Sequence, residues 1–136
     1  MKTRLQGGTA VVTGAAGTMG RAVVAALAAD GLKVIGIDVK PHKGGIVCDI
    51  SDPQAVAKAM RGIGRVDVLV NNAGILSNNK SEATTPEEWR RVLAANLDGA
   101  FYLSRAVIPG MKRRRWGRIV NTCSLAAKTG GLTAGT

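Results

Sequence analysis

The chain has 136 residues, 46% of them hydrophobic, 21% charged and 3% aromatic, enough for one domain with one core but too few for a two-lobed enzyme. The formal net charge of +10 raises nucleic acid as a partner. No apolar run reaches the roughly 18 residues of a membrane span, and the N-terminus, MKTRLQGG, carries no signal-peptide stretch.

TAVVT (9–13) is a short β-branched run closed by Gly14. RAVVAALAAD follows as a helix, with Val23, Val24, Leu27 and Ala28 on one face and Gly31 at the left-handed position past its end. KVIGID (33–38) predicts a second strand and GIVCDI (45–50) a third. Only Val39 to Gly44 separates them, too short for the dozen or so residues of a parallel crossover. A loop or single turn is expected there, with the sole histidine, His42, facing solvent.

Ser51 or Asp52 caps the next helix, with Pro53 in its first turn. VDVLVNN (66–72) is the fourth strand. Thr85-Pro86-Glu87-Glu88 reads as a capping box. It opens a long helix to about Arg114, with a buried stripe at Trp89, Leu93, Leu97, Ala100, Ser104 and Val107–Ile108 and a possible kink at Pro109. GRIVNTCS (117–124) is the fifth strand, leading into a Gly/Thr-rich loop.

The strands are near-continuous apolar runs, the pattern of parallel strands buried on both faces. The fold class is therefore α/β: a Rossmann-type doubly wound parallel sheet, one domain over 1–136. Cys48 and Cys123 lie in apolar strand-like segments without metal-like spacing, and read as reduced core thiols of a cytoplasmic protein. Lys112, Arg113, Arg114, Arg115 and Arg118 equal half of the net charge. They read as the solvated end of the long helix, where cations also complement the dipole. Trp116 alone lies among them, so no series of stacking platforms supports nucleic-acid binding. No membrane partner and no metal site are expected.

In such a sheet, ligands bind beyond the carboxyl ends of the strands. Gly14–Gly20, Asp38, Asp49, Asn71–Gly74 and Ser124 all fall there. The turn Gly14-Ala15-Ala16-Gly17-Thr18-Met19-Gly20 joins a strand to a helix N-terminus, where glycines admit a pyrophosphate and free amides meet it. Asp38, 24 residues after Gly14, stands where an acid binds the ribose hydroxyls of NAD. Asn96 lies beside the apolar stripe and must find partners; a structural amide and a catalytic one are both open.

These residues resemble the short-chain dehydrogenase/reductase family along the whole chain, matching that family's N-terminal half and a little more. Thr13-Gly14-x-x-x-Thr18-x-Gly20 resembles its glycine-rich turn. Asn71-Asn72-Ala73-Gly74 matches its NNAG motif. Asn96 falls where the family has a catalytic asparagine, and Ser124 where it has a catalytic serine.

The resemblance implies an NAD(P)-dependent oxidoreductase that moves hydride between nicotinamide and a small alcohol/carbonyl substrate, homo-oligomeric in its full-length form. Gly14, Gly17, Thr18, Met19 and Gly20 would hold the pyrophosphate. Asp38 would favour NAD over NADP, in keeping with the lack of a basic residue before position 18. Asp49 would contact the adenine, and Asn72, Ala73 and Gly74 the adenosine ribose. Asn96 would hold a relay water, and Ser124 would bond the substrate oxygen.

Two departures stand out. Thr18 replaces the family's middle glycine, so Gly17 is expected to take over by a local shift, with Thr18 capping the helix. The family's Tyr-x-x-x-Lys would fall just past Thr136, while the single tyrosine, Tyr102, is followed four residues on by Ala106. The chain thus reads as truncated after the fifth strand and inactive by itself. The alternative reading is a stand-alone nucleotide-binding module without catalysis.

Overall fold

The structure, a computed structural model, describes residues 5–129. The expected Gly/Thr-rich loop lies mostly outside the described residues. Five strands form one parallel sheet: β1 (Thr9–Thr13), β2 (Lys33–Asp38), β3 (Ile46–Val47), β4 (Val68–Asn71) and β5 (Arg118–Asn121), in the order β3-β2-β1-β4-β5. The order reverses at β1, so the crevice between the turns after β1 and β4 is the topological switch point.

Strand alternation divides the core into two layers. On one side, Ala10, Val12, Val68 and Val70 pack with Val23, Val24 and Leu27 of α1 (Thr18–Ala29). On the other, Val11, Ile37 and Leu69 pack with Val56 and Met60 of α2 (Pro53–Ile63) and with Leu103, Val107 and Met111 of α4 (Gly99–Arg114). Ala28, expected on the buried face of α1, is exposed. Gly31 has φ +86° just past the end of α1, as its position predicts. Asp52 caps α2, accepting from the amides of Gln54 (2.8 Å) and Ala55 (3.2 Å).

Strands 3, 4 and 5 are shorter than the apolar runs suggest. Only two residues of β3 find ladder partners on β2, and Gly44, at φ +71°, turns the chain just before them. The outer residues of the fourth and fifth runs, including Val66 and Thr122, lie outside the strands, although the Thr122 amide still donates to Asn71 O at 2.9 Å.

The expected single long helix is α3 (Pro86–Leu93), a π-helical turn (Ala94–Asp98) and α4. The break is at Asn96, not at Pro109, which lies inside α4. A π turn holds an extra residue and rotates everything after it. The buried side is therefore Val92, Gly99, Leu103, Val107 and Met111, while Trp89, Leu97, Phe101 and Ile108 face outward. Thr85 caps α3 by accepting from the Glu88 amide (3.2 Å). A four-residue α5 (Ala126–Thr129) follows β5.

Candidate functional site

The carboxyl ends of the strands open onto a cleft of about 660 Å³. Its walls include Gly14, Gly17, Thr18, Met19 and Gly20 of the first turn, Asp38 after β2, Asn72, Ala73 and Gly74 after β4, Asn96 of the π turn and Ser124 after β5. A second hollow of about 270 Å³ shares Gly14, Asp38, Ala73 and Gly74 and adds Asp49. The fold thus brings all twelve sequence-derived residues to one edge.

The first turn is built by close approach. Gly14 has φ +67°, and a Cβ on it would lie 2.9 Å from Ala73 Cα. A Cβ on Gly20 would collide with the Gly14 carbonyl. The turn is locked to the β4 end by Thr13, which is buried: its Oγ1 accepts from the amides of Asn72 and Ala73, each at 3.0 Å, and its carbonyl accepts from Asn72 Nδ2 (3.0 Å). Sequence reading gave Thr13 no such role; a threonine at a strand end beside a paired-asparagine motif is the signal that could have found it.

Gly17, not Thr18, is the N-cap of α1, and no side chain caps that end. Thr18 already has helical backbone as the first residue of the helix, which points its hydroxyl away from the capping position. The Arg21 amide is the first to reach a helical carbonyl, Gly17 O at 2.9 Å. The amides of Thr18, Met19 and Gly20 are the orphans of the first turn, with no acidic side chain beside them. An uncapped, unneutralised helix end of this kind favours an anion.

Asp38 braces the turn as well as lining the cleft. Its Oδ2 accepts from the Ala16 amide and its Oδ1 from the Lys40 amide, both at 2.9 Å. A carboxylate has about four acceptor positions, so capacity remains for ribose hydroxyls. Asp49 is bound to its own turn: Oδ1 accepts from Ser51 N (2.9 Å) and Ser51 Oγ (2.7 Å).

Asn96 is exposed, yet both ends of its amide are used. Oδ1 accepts from Ile75 N (2.8 Å) and Nδ2 donates to Ile75 O (2.9 Å). The side chain therefore pairs like a strand with the segment after NNAG. The same segment is fastened again at buried Ser77, whose hydroxyl donates to Glu88, while Asn79 Nδ2 donates to the second Glu88 oxygen (2.7 Å). These bonds, the Ser77 one foremost, hold the Glu88 carboxyl below its ordinary range. Neither Ser77 nor Glu88 stood out in the sequence as more than loop and cap.

Ser124 Oγ accepts from the Ala126 amide (3.1 Å), which leaves its own proton free to donate into the cleft. Cys123 is exposed on the cleft wall, not buried as expected, because β5 ends at Asn121. Cys48 is buried, and desolvation with Asp49 and Asp52 nearby pushes its thiol up, away from the reactive thiolate. Tyr102 packs against the α2–α4 core and lines a separate groove with Pro53, Val56 and Arg105, away from the cleft.

Two other expectations change. His42 is half-buried, with Nε2 fully enclosed, because Gly36 and Gly45 leave room for its ring. Arg114 is not part of a solvated helix end: its guanidinium donates to Val66 O (2.6 Å) and lies 3.6 Å from buried Asp67.

A family model described as short chain dehydrogenase matches residues 8–135. The 3-oxoacyl-(acyl-carrier-protein) reductase of Vibrio cholerae is 36% identical over 142 residues, an overlap taking in 93% of this chain and 58% of that protein. D-beta-hydroxybutyrate dehydrogenase of Cupriavidus necator is 36% identical over 153 residues, covering 96% of this chain and 56% of its own. Among solved structures, ligand-free aldohexose dehydrogenase of Thermoplasma acidophilum superposes with a TM-score of 0.84 at 38% identity, over 90% of this chain and 51% of that one. A metagenomic short-chain oxidoreductase in complex with NADP gives a TM-score of 0.84 at 33% identity, over 91% and 64%. The chain spans a little under three-fifths of the curated relatives it matches.

Proposed function

The chain belongs to the short-chain dehydrogenase/reductase family, and from that premise we propose that its cleft binds a nicotinamide dinucleotide, NAD before NADP, for hydride transfer on a small alcohol/carbonyl substrate. The observation that carries the reading is the uncapped first turn of α1, its Thr18, Met19 and Gly20 amides open in a cleft that also holds Asp38, Asn96 and Ser124. The residues fit a pyrophosphate: side chains at Gly14 and Gly20 would fill the turn, and glycine keeps it open.

On this reading Gly14, Gly17, Thr18, Met19 and Gly20 hold the pyrophosphate. Asn72, Ala73 and Gly74 line the adenosine ribose, and Asp49 stands at the adenine end. Bound nicotinamide supplies the hydride donor or acceptor. Ser124, its oxygen already accepting from Ala126, donates its proton to the substrate oxygen. Asn96 pins Ile75 and opens the helix, and a relay water there would use the second lone pair of Oδ1 or the backbone carbonyl. No Tyr-x-x-x-Lys occurs within the 136 residues. Dinucleotide binding is the part of the reading that the residues present carry directly.

The preference for NAD rests on Asp38, whose charge would oppose a 2′-phosphate. One solved relative holds NADP. The two free thiols, Cys48 and Cys123, suit a reducing cytoplasm. Titration of the chain with NADH and NADPH, followed by nicotinamide fluorescence, decides between the readings. NADH is expected to bind more tightly, and Asp38→Asn to narrow the gap by roughly tenfold. Tighter NADPH binding sinks the preference; binding of neither sinks the dinucleotide reading.

A further inference from the structure

Resting on the nucleotide reading above, we propose that His42 is a positioning residue for the adenosine end of the cleft, its ring holding the Lys40 backbone that orients Asp38. The seven residues between β2 and β3 form no helix. What covers the strands there is this ring. A Cβ at Gly36 would fall 2.6 Å from His42 Nε2 and 2.6 Å from Ala15 Cβ, and a Cβ at Gly45 would run into the ring itself. The imidazole occupies the volume that two glycines leave open, beside Ala15 of the phosphate turn.

The ring has one polar attachment. Nε2 is enclosed without a partner, and Nδ1 lies 3.1 Å from the Lys40 carbonyl. A carbonyl only accepts, so Nδ1 carries the proton. Lys40 precedes Pro41, which confines it to extended backbone. Fixing its carbonyl therefore fixes its amide as well. That amide donates to Asp38 Oδ1 at 2.9 Å, and Asp38 Oδ2 accepts from Ala16 at 2.9 Å. A continuous relay runs from the ring through Lys40 and Asp38 to the phosphate turn, and both Lys40 and Asp38 line the cleft.

The test compares wild type, His42→Phe and His42→Asn in the full chain. Phenylalanine keeps the ring and loses the donor; asparagine places an amide N–H where Nδ1 stands. Affinity for NADH, ADP-ribose and nicotinamide mononucleotide is measured by calorimetry, and Ala16 amide exchange by NMR without nucleotide. His42→Phe is expected to bind NADH and ADP-ribose roughly three- to tenfold more weakly, with nicotinamide mononucleotide unchanged and Ala16 exchanging faster. His42→Asn is expected to restore all of these to within about twofold. Wild-type affinity in His42→Phe, or equal losses in both variants, overturns the relay. A wild type that binds no dinucleotide overturns the functional reading instead, and Ala16 exchange then still decides the relay.

Discussion

Two aspartates at opposite ends of the sheet show how one fold separates an open acceptor from a buried tie. Asp38, at the carboxyl edge, accepts from two backbone amides and still borders the open cleft. Asp67, at the amino edge, is 1% exposed and accepts from Thr9 N at 3.0 Å and Arg65 Nε at 3.0 Å, with Arg114 behind it. Its backbone also joins neighbouring strands, its amide donating to Thr9 O and its carbonyl accepting from Arg118 N. One carboxylate has capacity to spare beside solvent; the other is spent on Thr9 of β1, Arg65 and the end of α4, while the Asp67 backbone joins β5. Similar chemistry thus leaves acceptor capacity at one edge and supplies cohesion at the other, according to which partners the backbone leaves unmet.

The strongest way to break this comparison is Asp67→Ala. It strands the half-buried Thr9 amide and leaves the Arg114 guanidinium, itself partly buried, without a counter-charge. A loss of about 3 kcal/mol is expected, read as a lower urea midpoint. NADH affinity of the folded protein should stay within about twofold. A loss below about 1 kcal/mol would mean that the arginines merely sit beside Asp67.

Gly14→Ala tests the other edge. The residue has φ +67°, and the new Cβ would press on Ala73 Cα at 2.9 Å. Strain and contact together are expected to cost about 2 kcal/mol and to abolish measurable NADH binding, because the turn and the NNAG segment would be pushed apart. Retained binding would show that the cleft tolerates a shifted turn, as the Thr18 departure already asks of it.

The contrast also explains what could be read in advance. The carboxyl edge was legible because its residues sit in short local patterns: a glycine turn, NNAG, an acid ending a strand. Each pattern carries its chemistry within a few residues. The amino edge was not, because Asp67 is joined to Thr9 and Arg114, 58 and 47 positions away, and nothing local marks the knot. The same limit hid the π turn. Within it Asn96 pairs with Ile75, 21 residues earlier, and because the π turn widens the helix there the buried face moves from Leu97 to Gly99 and Leu103. His42 was misplaced for a related reason: Gly36 and Gly45 look like flexible punctuation in sequence, and only folding shows that they make a seat for a ring.

The smallest effect is expected at Glu88, whose partners lie in the segment after β4. Hydrogen bonds from Ser77 and Asn79, with Arg91 nearby, favour its charged form, so its carboxyl titrates below the ordinary 4.5 in the folded chain. As pH falls, the unfolded chain takes up this proton first. The stabilisation is therefore complete above about pH 4.5 and disappears as pH drops through the folded value. Glu88→Gln should unfold slightly earlier in urea at neutral pH, and the gap from wild type should close as pH falls through the folded value. A gap that persists unchanged in acid would assign Glu88 to packing alone. A gap that closes would place charge in the clamp that holds Ser77, and with it the segment whose other end is pinned by Asn96.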